Sequence, residues 1–277
     1  MLAARDVWFG YAEDKPVLRG ISLDVRRGAI VGILGPNGSG KTTLLRLLAG
    51  TRQPQRGAVT LDETPLPTLA RVELARRMAV VPQETHLAFD YTVHEVAMMG
   101  RYAHLGAFQI EGPADMAIVD DALAATGTLI FKDRPFATLS GGEKQRVVIA
   151  AALAQIRGSN QEPSRLKAGA VYSGYLLLDE PTASLDLGYQ LEVADLLKRL
   201  RDERGVSVVV STHDLALAGT LCETLLLIRG GETIAYGPTD DVLTPDNVRA
   251  VYGVEVDVIR HASGRRVLVP VGRTQQP

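Results

Sequence analysis

The sequence predicts an α/β fold: a mostly parallel sheet interleaved with helices, into which a helical subdomain is inserted. Three observations carry that expectation. Short β-rich runs, AIVGILG, AVTLD and MAVVPQ, occupy the first third of the chain, separated by Gly, Pro and Asn turns. Between Ala88 and Ala154 the periodicity becomes helical, most clearly in TVHEVAMMG, ADMAIVDDALAATG and GGEKQRVVIAAALAQ. Strand patterns then return at GYLLLDE (174–180) and VSVVVST (206–212), with the helix-like ADLLKRLRDE between them. Helices alternating with apolar strands imply a parallel core.

The remaining elements follow in order. ISLDV (21–25) alternates apolar and polar residues, as a half-buried strand does. TLLLIRGGETIAYG reads as a hairpin turning at Gly230 and Gly231. The polar, turn-rich stretch 157–174 is longer than most connections in compact domains and reads as a surface loop. No internal repeat or low-complexity tract interrupts the pattern.

Composition narrows the function classes. With 277 residues, 46% apolar and 22% charged, the chain suits one sizeable domain with an inserted subdomain. The single cysteine, Cys222, cannot form an internal disulfide and reads as a small buried hydrophobe. Thirty basic against thirty-two acidic residues give a formal charge of −2, and no long basic run tracks a nucleic-acid backbone, so nucleic acid is not an expected partner. The opening MLAARDVWFG lacks the apolar core of a secretory signal, and no apolar stretch approaches the roughly 20 residues that span a bilayer. Any membrane role is expected to come through a partner.

Residues 35 to 42 read GPNGSGKT, between the strand AIVGIL and the helical pattern TTLLRLLAG. A glycine-rich loop in that strand-to-helix context is a phosphate-binding loop. Gly35, Gly38 and Gly40 allow a tight turn, so that successive amide N–H groups and the helix N-terminus converge on a polyphosphate, with Pro36, Asn37, Ser39 and Thr43 completing the cradle. Lys41 is placed to reach the β and γ phosphates of ATP, and Thr42 to ligate Mg²⁺. The apolar run Tyr175 to Leu178 ends in Asp179 and Glu180, two carboxylates at the carboxyl edge of a buried strand, where open α/β sheets bind ligands. Asp179 is expected in the shell of the metal, and Glu180 to position or deprotonate the attacking water. An acidic strand end alone is ordinarily just solvated; the loop upstream gives this one a role.

In LSGGEKQRVVIAAALA, from Leu139, Ser140 and Glu143 have the spacing of a helix capping box. An ordinary surface helix can begin this way, but Gly141 and Gly142 inside the cap bare the backbone N–H groups, making a second phosphate-binding helix end in one chain.

These motifs, in this order, resemble the ABC ATPase family over nearly the whole chain. The resemblance implies a RecA-like P-loop NTPase core with an antiparallel β portion, at about 1–87 and 155–240, a helical subdomain at about 88–154 and a C-terminal tail at about 241–277. It makes Leu139, Ser140, Gly141, Gly142 and Glu143 the signature motif, which acts on the ATP held by a second copy. It makes Gln83 in VVPQE the glutamine that senses the γ-phosphate and metal beside the permease-contacting surface, and Ser184, Leu185 and Asp186 the D-loop that crosses the dimer interface. His213 in STHD matches the histidine that contacts the γ-phosphate, and Tyr11 the aromatic that stacks on adenine. The catalytic set is then Glu180, His213, Lys41 and Gln83, and the Mg²⁺ ligands are Thr42, Gln83 and Asp179. Taken singly, Gln83 would be a polar strand end, His213 a satisfied imidazole and Tyr11 a half-buried ring; joint order and spacing carry the roles. The histidines at 86, 94, 104 and 261 make no metal-ligand pattern.

Two departures from the family pattern stand out: the long stretch from Ser140 to Asp179, and Ala151 where many relatives have arginine. Neither removes a catalytic residue. The stretches 92–106 and 251–270 are similar to the importer branch serving iron-siderophore, haem and cobalamin uptake. The resemblance therefore implies a homodimer of ATPase subunits on the cytoplasmic face of the membrane, working with a permease and, through it, a periplasmic or lipid-anchored binding protein. The alternatives are an ABC ATPase for another transport substrate, or a soluble family member that does not transport. The soluble kind resembles tandem cassettes or carries long heptad arms, and this chain has one cassette and no sustained heptads.

Overall fold

The computed structural model describes residues 1–12, 15–85, 87–158, 174–183, 185–260 and 266–273. Most of the loop expected at 157–174 lies outside these, as do His86, Ser184 and His261. From the N-terminus come β1 (Leu2–Ala12), β2 (Lys15–Val25), β3 (Ile30–Leu34), α1 (Lys41–Leu48), β4 (Arg56–Leu61) and β5 (Thr64–Pro65). Next are α2 (Arg71–Arg77), β6 (Met78–Val81), α3 (Val93–Met98), α4 (Pro113–Ala125), α5 (Gly141–Ile156), β7 (Tyr175–Asp179), α6 (Leu187–Arg204) and β8 (Ser207–Thr212). The chain closes with α7 (Leu215–Leu221), β9 (Thr224–Arg229), β10 (Glu232–Pro238), α8 (Thr239–Val242), α9 (Pro245–Tyr252), β11 (Val254–Arg260) and β12 (Arg266–Arg273). These form two compact units, one of Met1–Pro67 with Val209–Pro277 and one of Thr68–Val208.

The first unit holds the antiparallel portion, with strand order β2-β1-β4-β5. Leu2, Ala4, Leu23 and Val25 lie in the core, and Leu2 pairs with Val25 and Ala4 with Leu23 across β1 and β2. Strand β3 is buried at all five positions, IVGIL, and runs parallel to β9 with Val31 opposite Thr224 and Leu34 opposite Leu227. Burial on both faces is what a continuous apolar run implies for a parallel strand. Strand β9 turns back antiparallel into β10 at Gly230 and Gly231, as the hairpin pattern predicts. Cys222 is buried, and desolvation pushes its thiol pKa up to about 12, so it packs as an inert hydrophobe.

In the second unit β6 and β7 pair in parallel, from Met78 opposite Tyr175 to Val81 opposite Leu178. Helix α5 packs against α3, α4 and β6. Thr92 caps α3 with a full capping box to Glu95. The helix expected through TVHEVAMMG ends at Met98 and tightens into a 3-10 turn, Met99–His104. That turn drives Arg101 fully into the interior. There its Nε pairs with Asp115 at 2.9 Å and one terminal nitrogen donates to the carbonyls of Ala154 and Arg157, satisfying the open C-terminal end of α5. Ala151 sits half-buried within that helix.

Candidate nucleotide site

In the first unit, β3 leads directly into the phosphate loop and α1. Gly40, the residue before the helix, has φ 106°, a left-handed conformation open to glycine, and a Cβ there would lie 2.6 Å from Leu18 Cδ2. Lys41 is buried to 5% exposure, and its Nζ donates to the carbonyls of Gly35 at 2.9 Å and Pro36 at 3.2 Å. The ammonium is thus folded over the loop rather than into solvent. Ser39 is also buried, and its Oγ has no hydrogen-bond partner among the described residues. An orphaned donor beside a helix start whose first N–H groups have no intrahelical acceptor is a cradle that suits a polyphosphate. Asn37 and Gly38 lie exposed on the rim, and Thr42 stands in the first turn of α1.

Tyr11 is fixed at this helix start by its phenol, which lies 3.4 Å from Thr43 Oγ1 and accepts from Arg46 at 3.1 Å. The hydrogen bond with Thr43, aided by Arg46, holds the phenol pKa below its ordinary value. Phe9 supports the ring edge-on at 5.1 Å, while 57% of Tyr11 stays exposed and able to stack on a planar base. His213 is exposed one residue beyond β8, the strand next to β3 in the sheet. It is set by its neighbours: β8 is wholly buried, and Asp214 Oδ1 caps α7 by accepting from Ala216 at 2.8 Å and Leu217 at 3.0 Å. Asp214→Ala is therefore expected to lower stability by about 1 kcal/mol, the ordinary worth of such a cap, read as a lower melting temperature. An unchanged melting curve would show the cap to be dispensable.

In the second unit, Asp179 ends β7 and Glu180 follows it, both half-buried. Val81, the last residue of β6, pairs with Leu178, so Gln83 and Glu180 each follow the carboxyl end of one of two neighbouring parallel strands. Glu180 has φ 46°, a left-handed backbone that a non-glycine residue adopts at a cost of about 1–3 kcal/mol.

The capping box at Ser140 and Glu143 forms as its spacing predicts. Ser140 Oγ accepts from the Glu143 N–H at 3.3 Å, and the Glu143 carboxylate accepts from the Ser140 N–H at 2.8 Å. The backbone bond from Ser140 holds the Glu143 pKa below its ordinary value, so the box stays charged and closed near neutral pH. Leu139 is buried beneath the cap. Of the expected D-loop, Leu185 is half-buried and Asp186 exposed at the start of α6. The phosphate loop, Tyr11 and His213 thus belong to the first unit, and Gln83, Asp179, Glu180, the signature and the D-loop to the second. Sequence reasoning passed over Arg46, which anchors Tyr11, and Tyr189 and Gln190, which pack behind the signature and the D-loop. None of the three carries a motif of its own.

The chain is similar to known proteins along most of its length. The family model described as ABC transporter matches residues 18–159. The hemin import ATP-binding protein HmuV of Bordetella pertussis is 42% identical over 89% of this chain and 90% of its own. Among solved structures, a metal-chelate type ABC transporter in an inward-facing conformation superposes with a TM-score of 0.81 at 27% identity, covering 98% of this chain and 96% of that one. A dimeric bacterial ABC transporter cassette matches at a TM-score of 0.69 and 27% identity, over 86% of this chain and 99% of its own. A phosphate loop, an acidic strand end and a serine-capped helix opening on two glycines, with relatives of this identity along most of the length, leave one conclusion: the chain belongs to the ABC transporter family, as an ATP-hydrolysing subunit.

Proposed function

We propose that this chain is the motor of a metal-chelate importer, in which each ATP is held by the phosphate loop of one copy and covered by the signature cap of a second. The observation that carries the shared site is the presence of two phosphate-binding helix ends, at Gly40 and at Ser140, in a chain whose single ATP has one γ-phosphate to offer. Lys41 and the loop amides hold the phosphates, Tyr11 the adenine, and Glu180 and His213 act on the attacking water and the γ-phosphate. Thr42, Gln83 and Asp179 are the ligands for a Mg²⁺ ion, which would neutralise charge on the β and γ phosphates. Each is an oxygen donor, as that hard cation requires. We assign the RecA-like core to about 1–87 and 155–240, the helical subdomain to about 88–154 and the tail to about 241–277.

Closing of the dimer on ATP would be transmitted to permease subunits. Among the described residues no helix is long and apolar enough to cross a membrane. The working position is the cytoplasmic face of the membrane, with a periplasmic or lipid-anchored binding protein delivering substrate to the permease. The similarity to a hemin importer supports haem as the first substrate to test. A strain lacking this chain is expected to lose uptake of haem, or of an iron-siderophore or cobalamin if the chelate is one of those. Undiminished uptake of all three would overturn the substrate class and leave the ATPase untouched.

A further inference from the structure

We infer that Tyr189 and Gln190, adjacent on the first turns of α6, are positioning residues that lock the signature cap to the segment following Glu180. The inference rests on the shared-site reading proposed above. Gly142 is buried inside the cap, and a Cβ on it would fall 2.4 Å from Tyr189 Cδ1 and 2.8 Å from Cγ. The aromatic ring therefore lies against the backbone of the signature itself, and glycine at 142 is required by that approach as well as by any phosphate. Gly141 meets the same region less tightly, its built Cβ lying 3.3 Å from Leu185 Cδ2.

One residue further along α6, Gln190 Nε2 donates to the carbonyls of Leu185 at 3.0 Å and Thr182 at 3.3 Å. The same turn is tied to the candidate base: the Ala183 N–H donates to the Glu180 carbonyl at 3.2 Å, and the Leu185 N–H to the Thr182 carbonyl at 3.1 Å. These contacts link the left-handed Glu180, through Thr182, Ala183 and Gln190, to Tyr189 and Gly142. At one end is the carboxylate that serves this chain's own ATP; at the other is the cap it lends to its partner's ATP. Held as one body, the two are set by a single closing motion. A cap displaced by about 1 Å would lose on the order of a hundredfold in rate while the phosphate loop still held its nucleotide.

Four variants of the full-length chain test this, assayed for Mg-ATP turnover, for ATP affinity of monomers and for thermal melting. Tyr189→Ala is expected to lower kcat about tenfold or more with monomer affinity unchanged. Tyr189→Phe keeps the ring and is expected to restore kcat to within about twofold of the parent chain. Gly142→Ala drives a methyl group into the ring and is expected to abolish turnover, whereas Gly142→Ala with Tyr189→Ala, which removes the obstruction, is expected to run faster than Gly142→Ala alone. A double variant no faster than Gly142→Ala, or a Tyr189→Phe as slow as Tyr189→Ala, overturns the lock. If Gly142→Ala does not fold, the Tyr189 pair decides alone. A Ser140→Arg variant that dimerises and hydrolyses normally instead overturns the shared site, so the two failures are distinct.

Discussion

Glu180→Gln is expected to hydrolyse ATP at least about a hundredfold more slowly than the parent chain while binding it as tightly, the scale of losing one preorganised group that acts only in the transition state. The amide has nearly the shape of the carboxylate and keeps an acceptor oxygen, so positioning survives; what it loses is the charge and the basicity that act on water. The backbone makes this the position to test. Glu180 stands at φ 46° directly after the buried strand β7, where the carboxyl edge of an α/β sheet meets its ligand. Lys41→Ala should fail differently, weakening ATP binding itself, because Lys41 is folded over the phosphate loop. Single-turnover hydrolysis beside a binding titration separates the two behaviours. Near-normal turnover in Glu180→Gln would remove Glu180 from the chemical step.

The parts of this molecule legible in its sequence are those in which neighbouring residues make the structure. The phosphate loop is eight consecutive residues between a strand and a helix, the signature cap closes on itself through Ser140 and Glu143, and the hairpin at Gly230 needs only its own turn. Strand β3 announces its burial because every residue in it is apolar or glycine. What stayed hidden depends on residues far apart in the chain. Arg101, in the polar-looking GRYAH, is interior only because it meets Asp115 and the carbonyls at the end of α5. Tyr189 reads as an ordinary helical residue, and only its approach to Gly142, 47 positions earlier in the sequence, shows why it is there. The strain at Glu180 is a backbone angle, which no side-chain pattern records.

Ser140→Arg is expected to leave ATP binding by monomers largely intact while abolishing ATP-dependent dimerisation and turnover together. Ser140 is the N-cap of α5, and its backbone and side chain are both engaged in the capping box with Glu143. Arginine cannot replace the hydroxyl in that box, and in the shared site proposed above its side chain would stand where a second chain's γ-phosphate approaches the bare amides of Gly141 and Gly142. The phosphate loop of the same chain, at residues 35–42, belongs to the other compact unit. A protein with a self-sufficient site would lose only the stability of a helix cap, on the order of 1 kcal/mol, and would go on hydrolysing ATP. A protein with a shared site loses the contact that ATP makes with both faces, and with it the dimer. Two-fold symmetry makes both sites alike, so the loss is complete rather than half. Glu180→Gln provides the opposite control, because it keeps the γ-phosphate in place and should accumulate as an ATP-bound dimer. Size-exclusion chromatography of both variants with and without Mg-ATP, with permease present if isolated subunits associate too weakly, reads the difference directly. Dimerisation and turnover of Ser140→Arg at the level of the parent chain would mean that each copy works alone.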